Sequence, residues 1–182
     1  MLQHGIELCK EELALKATTL TAGGTTSATG EIIDRFGVYT DPAGDYELNY
    51  DINTLMGISA LDGAIADTET LSLKVYLQTS DDASFSTDVN YVDAEGEFSA
   101  TAPSTGYAEY TFTGATATAV TFDDVLSLKA YLKSCKRYLR LFASATFSAG
   151  SVDNVVMTTI ASLGDSQNNA ISDVEIKDVV AE

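Results

Sequence analysis

A two-residue rhythm constrains this chain more than any other feature. In Leu71-Ser72-Leu73-Lys74-Val75-Tyr76-Leu77-Gln78, the residues Leu71, Leu73, Val75 and Leu77 share one side, and Ser72, Lys74, Tyr76 and Gln78 share the other. Successive side chains of a strand point to opposite faces, so this pattern predicts a half-buried antiparallel strand. The rhythm returns in Tyr107–Thr113, with Ala108, Tyr110 and Phe112 inward. It returns again in Arg137–Ala143, where Leu139, Leu141 and Ala143 alternate with Tyr138, Arg140 and Phe142. A further strand is expected between Val152 and Ala161, a run rich in Val, Thr, Met and Ile. Turn formers separate these runs: Asp41-Pro42-Ala43-Gly44-Asp45, Ser80-Asp81-Asp82, Glu95-Gly96, Pro103-Ser104-Thr105-Gly106 and Ala149-Gly150. Strands punctuated this way predict an all-β, mainly antiparallel sandwich or barrel rather than βαβ units.

Two regions carry mixed signals. Asp123–Lys136 reads as a helix, with Asp123 and Asp124 at its start and Lys133 and Lys136 near its end. It reads equally as a strand, with Val125, Ser127 and Lys129 against Leu126, Leu128 and Ala130. Leu8–Lys16 contains the helix formers Glu11, Glu12, Leu13, Ala14 and Leu15, and a short helix is expected there. Thr18–Gly30, rich in Thr, Ala and Gly, reads as a flexible loop or arm. At 182 residues the chain fits one domain. The expected organisation is an N-terminal arm over 1–30, flexible or partly helical, a sandwich over 31–163, and a tail or last strand over 164–182.

Charge narrows the partners. Twenty-seven acids against ten bases give a formal net charge of −17. Such a chain repels phosphate backbones, so no nucleic acid is expected as a partner. The same charge keeps copies apart until a specific contact overcomes the repulsion. No apolar run is long enough to cross a bilayer as a helix, so no membrane partner is expected. Met1–Glu7 lacks a basic region followed by an apolar run, so no secretory signal is expected and folding is assigned to a cytosol. Cys9 and Cys135 are expected as two unpaired thiols.

Three runs resemble the jelly-roll capsid cement (decoration) proteins of tailed bacteriophages. Leu71–Phe85, LSLKVYLQTSDDASF, resembles that family's alternating strand, polar turn and Ser-Phe ending. Lys136–Val152, KRYLRLFASATFSAGSV, resembles its Arg-Tyr-Leu-Arg-Leu strand and the Gly-containing turn that follows. Ala28–Gly37, ATGEIIDRFG, is similar to its first strand with an Ile-Asp pair. The acidic loop Thr87–Ser104, the segment Asp123–Ser134 and the tail after Gly164 depart from the family pattern. The resemblance implies a jelly-roll sandwich and a homodimer or homotrimer on the outer face of a capsid. It further implies the major capsid protein as partner, assembly in a host cytoplasm, no cofactor and no enzymatic activity.

Lys129, Lys133, Lys136, Arg137 and Arg140 gather half of the ten bases into twelve residues. They are the candidate partner-contact residues, weighed against an ordinary solvated strand face and turn. Arg140 lies within an apolar strand and is expected to pair with a carboxylate across a sheet or subunit boundary. Asp81, Asp82 and Asp88, with Asp67 and Glu69, offer oxygens for calcium but lack the Gly and Glu offsets of an EF-hand, so a turn role is expected. His4 is the only histidine and lies near the terminus, so no nucleophile–His pair and no metal site are expected. The aromatics Tyr107, Tyr110, Phe112, Tyr138 and Phe142 follow strand period and read as core or interface rather than as a sugar platform. The competing function is a carbohydrate-binding or adhesion β-sandwich module, against which the absence of Trp weighs. A cupin-type enzyme needs several metal-ligating histidines and is remote.

Overall fold

The computed structural model describes residues 10–40, 47–93, 97–115, 120–149 and 152–164, with 10–13, 37–40 and 47–51 described by backbone alone. The expectations for His4, Cys9, the turn 41–45, the Glu95-Gly96 turn and the tail 165–182 lie outside the described residues.

Among the described residues every regular element is a strand: β1 (Lys10–Thr21), β2 (Ser27–Thr29), β3 (Ile33–Asp34), β4 (Phe36–Thr40), β5 (Glu47–Asp51), β6 (Thr54–Ile65), β7 (Thr70–Ser80), β8 (Asn90–Val92), β9 (Phe98–Ser99), β10 (Ala108–Thr113), β11 (Val120–Tyr131), β12 (Tyr138–Phe147) and β13 (Asn154–Gly164). One sheet has the order β1-β13-β6-β11. The other runs β2-β12-β7-β8-β9, with β3 also on β12 and β10 also on β7. The pieces β10 and β8 lie end to end along one edge of β7: β10 pairs with Thr70–Val75 and β8 with Leu77–Thr79. In the same way β2 and β3 share one edge of β12. Each sheet is therefore four strand positions wide apart from the short flap β9, and every pairing is antiparallel. Two four-position sheets whose strands alternate between layers form a jelly-roll-like sandwich. A small hairpin, β4–β5, stands apart.

The period-two pattern explains the layering. Leu55, Leu61 and Ile65 of β6, with Val155, Met157 and Leu163 of β13, point into the sandwich and are fully buried. Leu71, Leu73, Val75 and Leu77 of β7, with Leu139, Leu141 and Ala143 of β12, meet them from the other sheet. The inward sets expected for β7 and β12 are part of the observed core. Along β6 the alternation is unbroken from Leu55 to Ile65, with Gly57, Ser59 and Gly63 among the inward positions. Gly63 lies opposite Phe122 in the β6–β11 ladder. A Cβ at Gly63 would lie 2.7 Å from the Phe122 ring, so the ring covers the glycine. Phe112 stacks on Phe122 from the opposite sheet at 4.6 Å between centroids, closing that edge of the sandwich.

Two local expectations change. The helix expected over Leu8–Lys16 is, over its described part, the start of β1, which runs to Thr21 and pairs with β13. Good helix formers here yield to an eleven-residue ladder partner, which local propensity does not register. The loop expected over Thr18–Gly30 likewise carries the end of β1 and all of β2. The ladder is irregular between Leu13 and Thr18, and adjacent Ala14 and Leu15 are both buried, as a bulge allows. At the bulge Glu31 N–H donates to Ala14 O at 2.9 Å and Gly30 N–H donates to Leu141 O at 2.7 Å. A Cβ on Gly30 would lie 2.1 Å from Ala14 O, so this approach requires glycine. The strand reading holds for Asp123–Tyr131, which lies within β11; Leu132–Arg137 is the turn into β12.

Candidate functional site

The turn 132–137 carries three of the five basic candidates. Leu132 N–H donates to Asn53 O at 2.8 Å, and Cys135 N–H closes the turn on Leu132 O at 2.8 Å. Lys136 N–H donates to Thr79 Oγ1 at 2.8 Å. Beneath the turn lies Arg35, only 2 % exposed. Its Nη1 donates to Leu132 O at 2.5 Å and also to Cys135 O. The Arg35 N–H donates to Arg137 O at 3.1 Å, and its guanidinium lies 4.7 Å from the Phe36 ring centroid. A buried guanidinium thus stitches the turn to the β3–β4 corner. Cys135 is free and buried, and burial pushes its thiol up to about 11, so it stays protonated and inert.

The five bases divide among three environments. Lys133 is exposed at the turn. Lys136 Nζ is ion-paired and hydrogen-bonded to Asp88 Oδ1. The Lys136 ammonium holds the Asp88 carboxyl below the usual carboxylate range. Arg137 grips Asp34 with two nitrogens: Nη2 donates to Oδ2 at 2.8 Å, and Nε donates to Oδ1 at 3.1 Å. Asp34 in turn raises the Arg137 pKa. Arg140 faces outward on β12 but is half-buried. Its Nε donates to Gln78 Oε1 at 2.7 Å, and its guanidinium lies 4.2 Å from the Phe85 centroid. Within this chain the partner across the sheet is therefore a neutral amide, with an aromatic face beside it, where the sequence predicts a carboxylate across a sheet or subunit boundary. Strand register places Gln78 directly opposite Arg140, and burial lowers the Arg140 pKa. Lys129 lies apart, on the outer face of the other sheet, 5.2 Å from the Tyr131 centroid.

The 80–88 loop shapes the Arg140 side of this end. Asp82 accepts hydrogen bonds from the N–H and hydroxyl of Ser84, Ser86 and Thr87, at 2.6–3.2 Å. The bonds from Ser86 and Ser84 hold its carboxyl well below the usual range. Phe85 and Asp88 adopt positive φ, 52° and 56°. Asp82 is thus a turn organiser. Asp67 and Glu69 lie beyond the opposite end of the eleven-residue β7, so the five acids form no common cluster. Among the described residues no group of three or more His, Cys, Asp or Glu is placed to hold a metal ion.

The aromatics pack against one another. Tyr76, Tyr91 and Phe142 form a triangle with centroids 5.6–6.2 Å apart. Tyr110 and Phe112 both meet Phe122. Burial and the hydrogen-bonded Asp124 push the Tyr110 phenol up to about 12.

Sequence reasoning missed Arg35 and a carboxyl pair. Arg35 follows Ile33 at period two, which is the signal that would have turned it inward. Glu69 and Asp153 come from different turns and share a hydrogen bond that raises the Glu69 pKa. Asp153 Oδ1 accepts from Ala66 N–H at 2.7 Å, while Glu69 Oε2 and Asp153 Oδ2 are buried and accept from no N–H or O–H of the described residues.

No protein-family model matches the chain, and no curated protein matches it. Among solved structures the chain is similar to one from infectious bursal disease virus strain Gx, at 10 % identity and a TM-score of 0.44, covering 88 % of this chain and 33 % of that one. It is similar to a chain of deformed wing virus, a honeybee pathogen, at 12 % identity and TM-score 0.34, covering 87 % and 45 %. It is also similar to a Clostridium thermocellum xylanase chain containing CBM22 and GH10 modules, at 12 % identity and TM-score 0.32, covering 90 % and 27 %. The chain spans less than half the length of the two viral chains.

Proposed function

We propose that this chain is a non-catalytic cement protein that binds the outer surface of a phage head and stabilises contacts between coat subunits. The observation that carries the reading is the clamped 132–137 turn, which presents three cations at one end of a strongly acidic sandwich, two of them held by carboxylates of this chain. Lys133 is exposed, and Lys136 and Arg137 flank it on a turn clamped from beneath by Arg35. A net charge of −17 disfavours loose association with an acidic coat surface, whereas a rigidly presented turn, with Lys133 exposed and Lys136 and Arg137 fixed by Asp88 and Asp34, selects one docking orientation. The quoted resemblance to phage cement proteins supports the same partner, the major capsid protein. A stiff sandwich suits load-bearing at the seams between coat subunits, and multivalent attachment multiplies weak contacts by roughly 10²–10⁴.

The test uses shells stripped of this protein. The purified chain is expected to rebind them. The Lys133→Glu, Arg137→Ala double variant should show lower occupancy, because charge contacts at a rim set encounter and salt response. Equal occupancy of the two proteins from low to high salt would remove the 132–137 turn from the contact. Failure of the wild-type chain to bind shells, with retention on a glycan column instead, would favour the carbohydrate-binding alternative.

A further inference from the structure

The two outer faces of the sandwich are finished differently. On the β7–β12 sheet, Tyr76 is buried against Tyr91, which also packs on Phe142. From Val75 to Ser80 both faces of β7 are buried. Among the described residues nothing comparable covers the centre of the β1-β13-β6-β11 sheet. Of the nine large apolar side chains that stand exposed among the described residues, five lie on this one face: Met56, Ile58, Val125, Tyr131 and Ile160, each 54–66 % exposed. Register makes them neighbours. Ile58 lies opposite Ile160 on one side and Ser127 on the other, while Ala60 lies opposite Val125 and Thr158. A contiguous apolar strip of this kind marks an interaction surface.

Charge on the same face has a direction. Asp62 and Asp123 are direct cross-strand partners at one end, a like-charge pairing that destabilises an isolated sheet. Lys129 stands six residues further along β11, roughly 20 Å away at 3.4 Å per residue.

We propose that this face is the contact between two copies of the chain, related by a two-fold axis that lies in the interface and runs across the strands at the level of Leu126 and Ser59. The operation reverses strand direction and stacks β11 on β11 and β6 on β6. Asp123 of one copy then faces Lys129 of the other, twice, and each acidic pair gains a cation. The same operation sets Ile58 over Ala60, Val125 over Ser127 and Ile160 over Thr158, large against small. A two-fold axis parallel to the strands would instead bring the acidic ends together. The area suits a stable dimer. Four strands about 4.8 Å apart and about ten residues long present roughly 650 Å² per copy. That is roughly 1,300 Å² in total, within the range of specific interfaces. This proposal does not rest on the coat-binding reading, which uses the 132–137 turn.

Sedimentation equilibrium of the full chain tests it. The wild type is expected as a dimer with a dissociation constant of about 1 μM or below. Ile58→Glu should weaken the dimer about 100-fold or more, as loss of a central anchor does. Ser127→Arg, an exposed change near the axis, should do the same and serves if Ile58→Glu fails to fold. Lys129→Asp alone should weaken the dimer, and adding Asp123→Lys should restore it, because each swap reconstitutes the facing pair. A monomeric wild type, a trimer, a dimer indifferent to both Ile58→Glu and Ser127→Arg, or no rescue by the double swap would overturn the proposal. A monomer that loses shell binding on Ile58→Glu would assign the face to the coat protein instead.

Discussion

Replacing Arg35 with methionine removes the clamp beneath the 132–137 turn while keeping most of the side-chain volume. Two buried carbonyls lose their guanidinium donor: Leu132 O keeps the Cys135 N–H, and Cys135 O is the one left without a donor. A hydrogen bond to a charged group contributes about 1.5–3 kcal/mol, and a buried acceptor left without a donor carries its full desolvation cost. Relief from burying the charge itself offsets part of this. The net expectation is a loss of about 3–5 kcal/mol, a large share of the 5–15 kcal/mol typical of a folded domain. For a chain of this size that corresponds to a fall in Tm of roughly 10 °C. Urea unfolding followed by circular dichroism measures it, with an unchanged m-value showing that the folded state keeps its compactness. A loss below about 1 kcal/mol would refute the reasoning, since it would mean the turn carbonyls find other donors without cost.

Three further outcomes follow from the same structure. Glu69 has a raised pKa because its protonated form hydrogen-bonds Asp153, so the pair's contribution is fully present below the unfolded-state value and is lost as pH rises through the folded-state value. Glu69→Gln keeps a permanent donor toward Asp153, so its Tm should exceed that of the wild type at pH 8 and the two should converge near pH 4; a constant difference across that range would contradict the assignment. Ser59 Oγ and Thr159 Oγ1 lie 2.8 Å apart in the core, both fully buried. Ser59→Ala or Thr159→Val alone should cost about 1–2 kcal/mol, and the double change less than the sum, as denaturant melts of the cycle would show. Gly30→Ala, which drives a Cβ against Ala14 O, should destabilise by about 1–3 kcal/mol, and thermal melting at wild-type stability would contradict the close approach.

The residues show why parts of this fold were legible and others were not. β7, β10 and β12 carry alternating apolar residues bounded by turn formers, so their inward faces could be read locally. β1 could not, because Glu11-Glu12-Leu13-Ala14-Leu15 favours a helix in isolation and becomes a strand only through β13, which begins at Asn154. Within the candidate site the clustering of bases was visible, but their partners were not. Asp34 and Gln78 reach Arg137 and Arg140 across 103 and 62 residues of sequence. Across its own sheet Arg140 meets Gln78 and not a carboxylate, because the ladder register, which local sequence does not show, decides which side chain stands opposite. The exposed face of β6, β11 and β13 was half visible, since Val125, Ser127 and Lys129 share a side. That Ile58 and Ile160 join them needs the register of two ladders.

In the proposed function this molecule holds coat subunits together rather than transforming a substrate. Quantitative gel densitometry of purified intact particles tests it most directly. The account predicts this chain in the particle at a copy number comparable to that of the coat protein, released by treatments that leave the shell assembled. Its absence from purified particles, or its presence in only a few copies, would contradict the account.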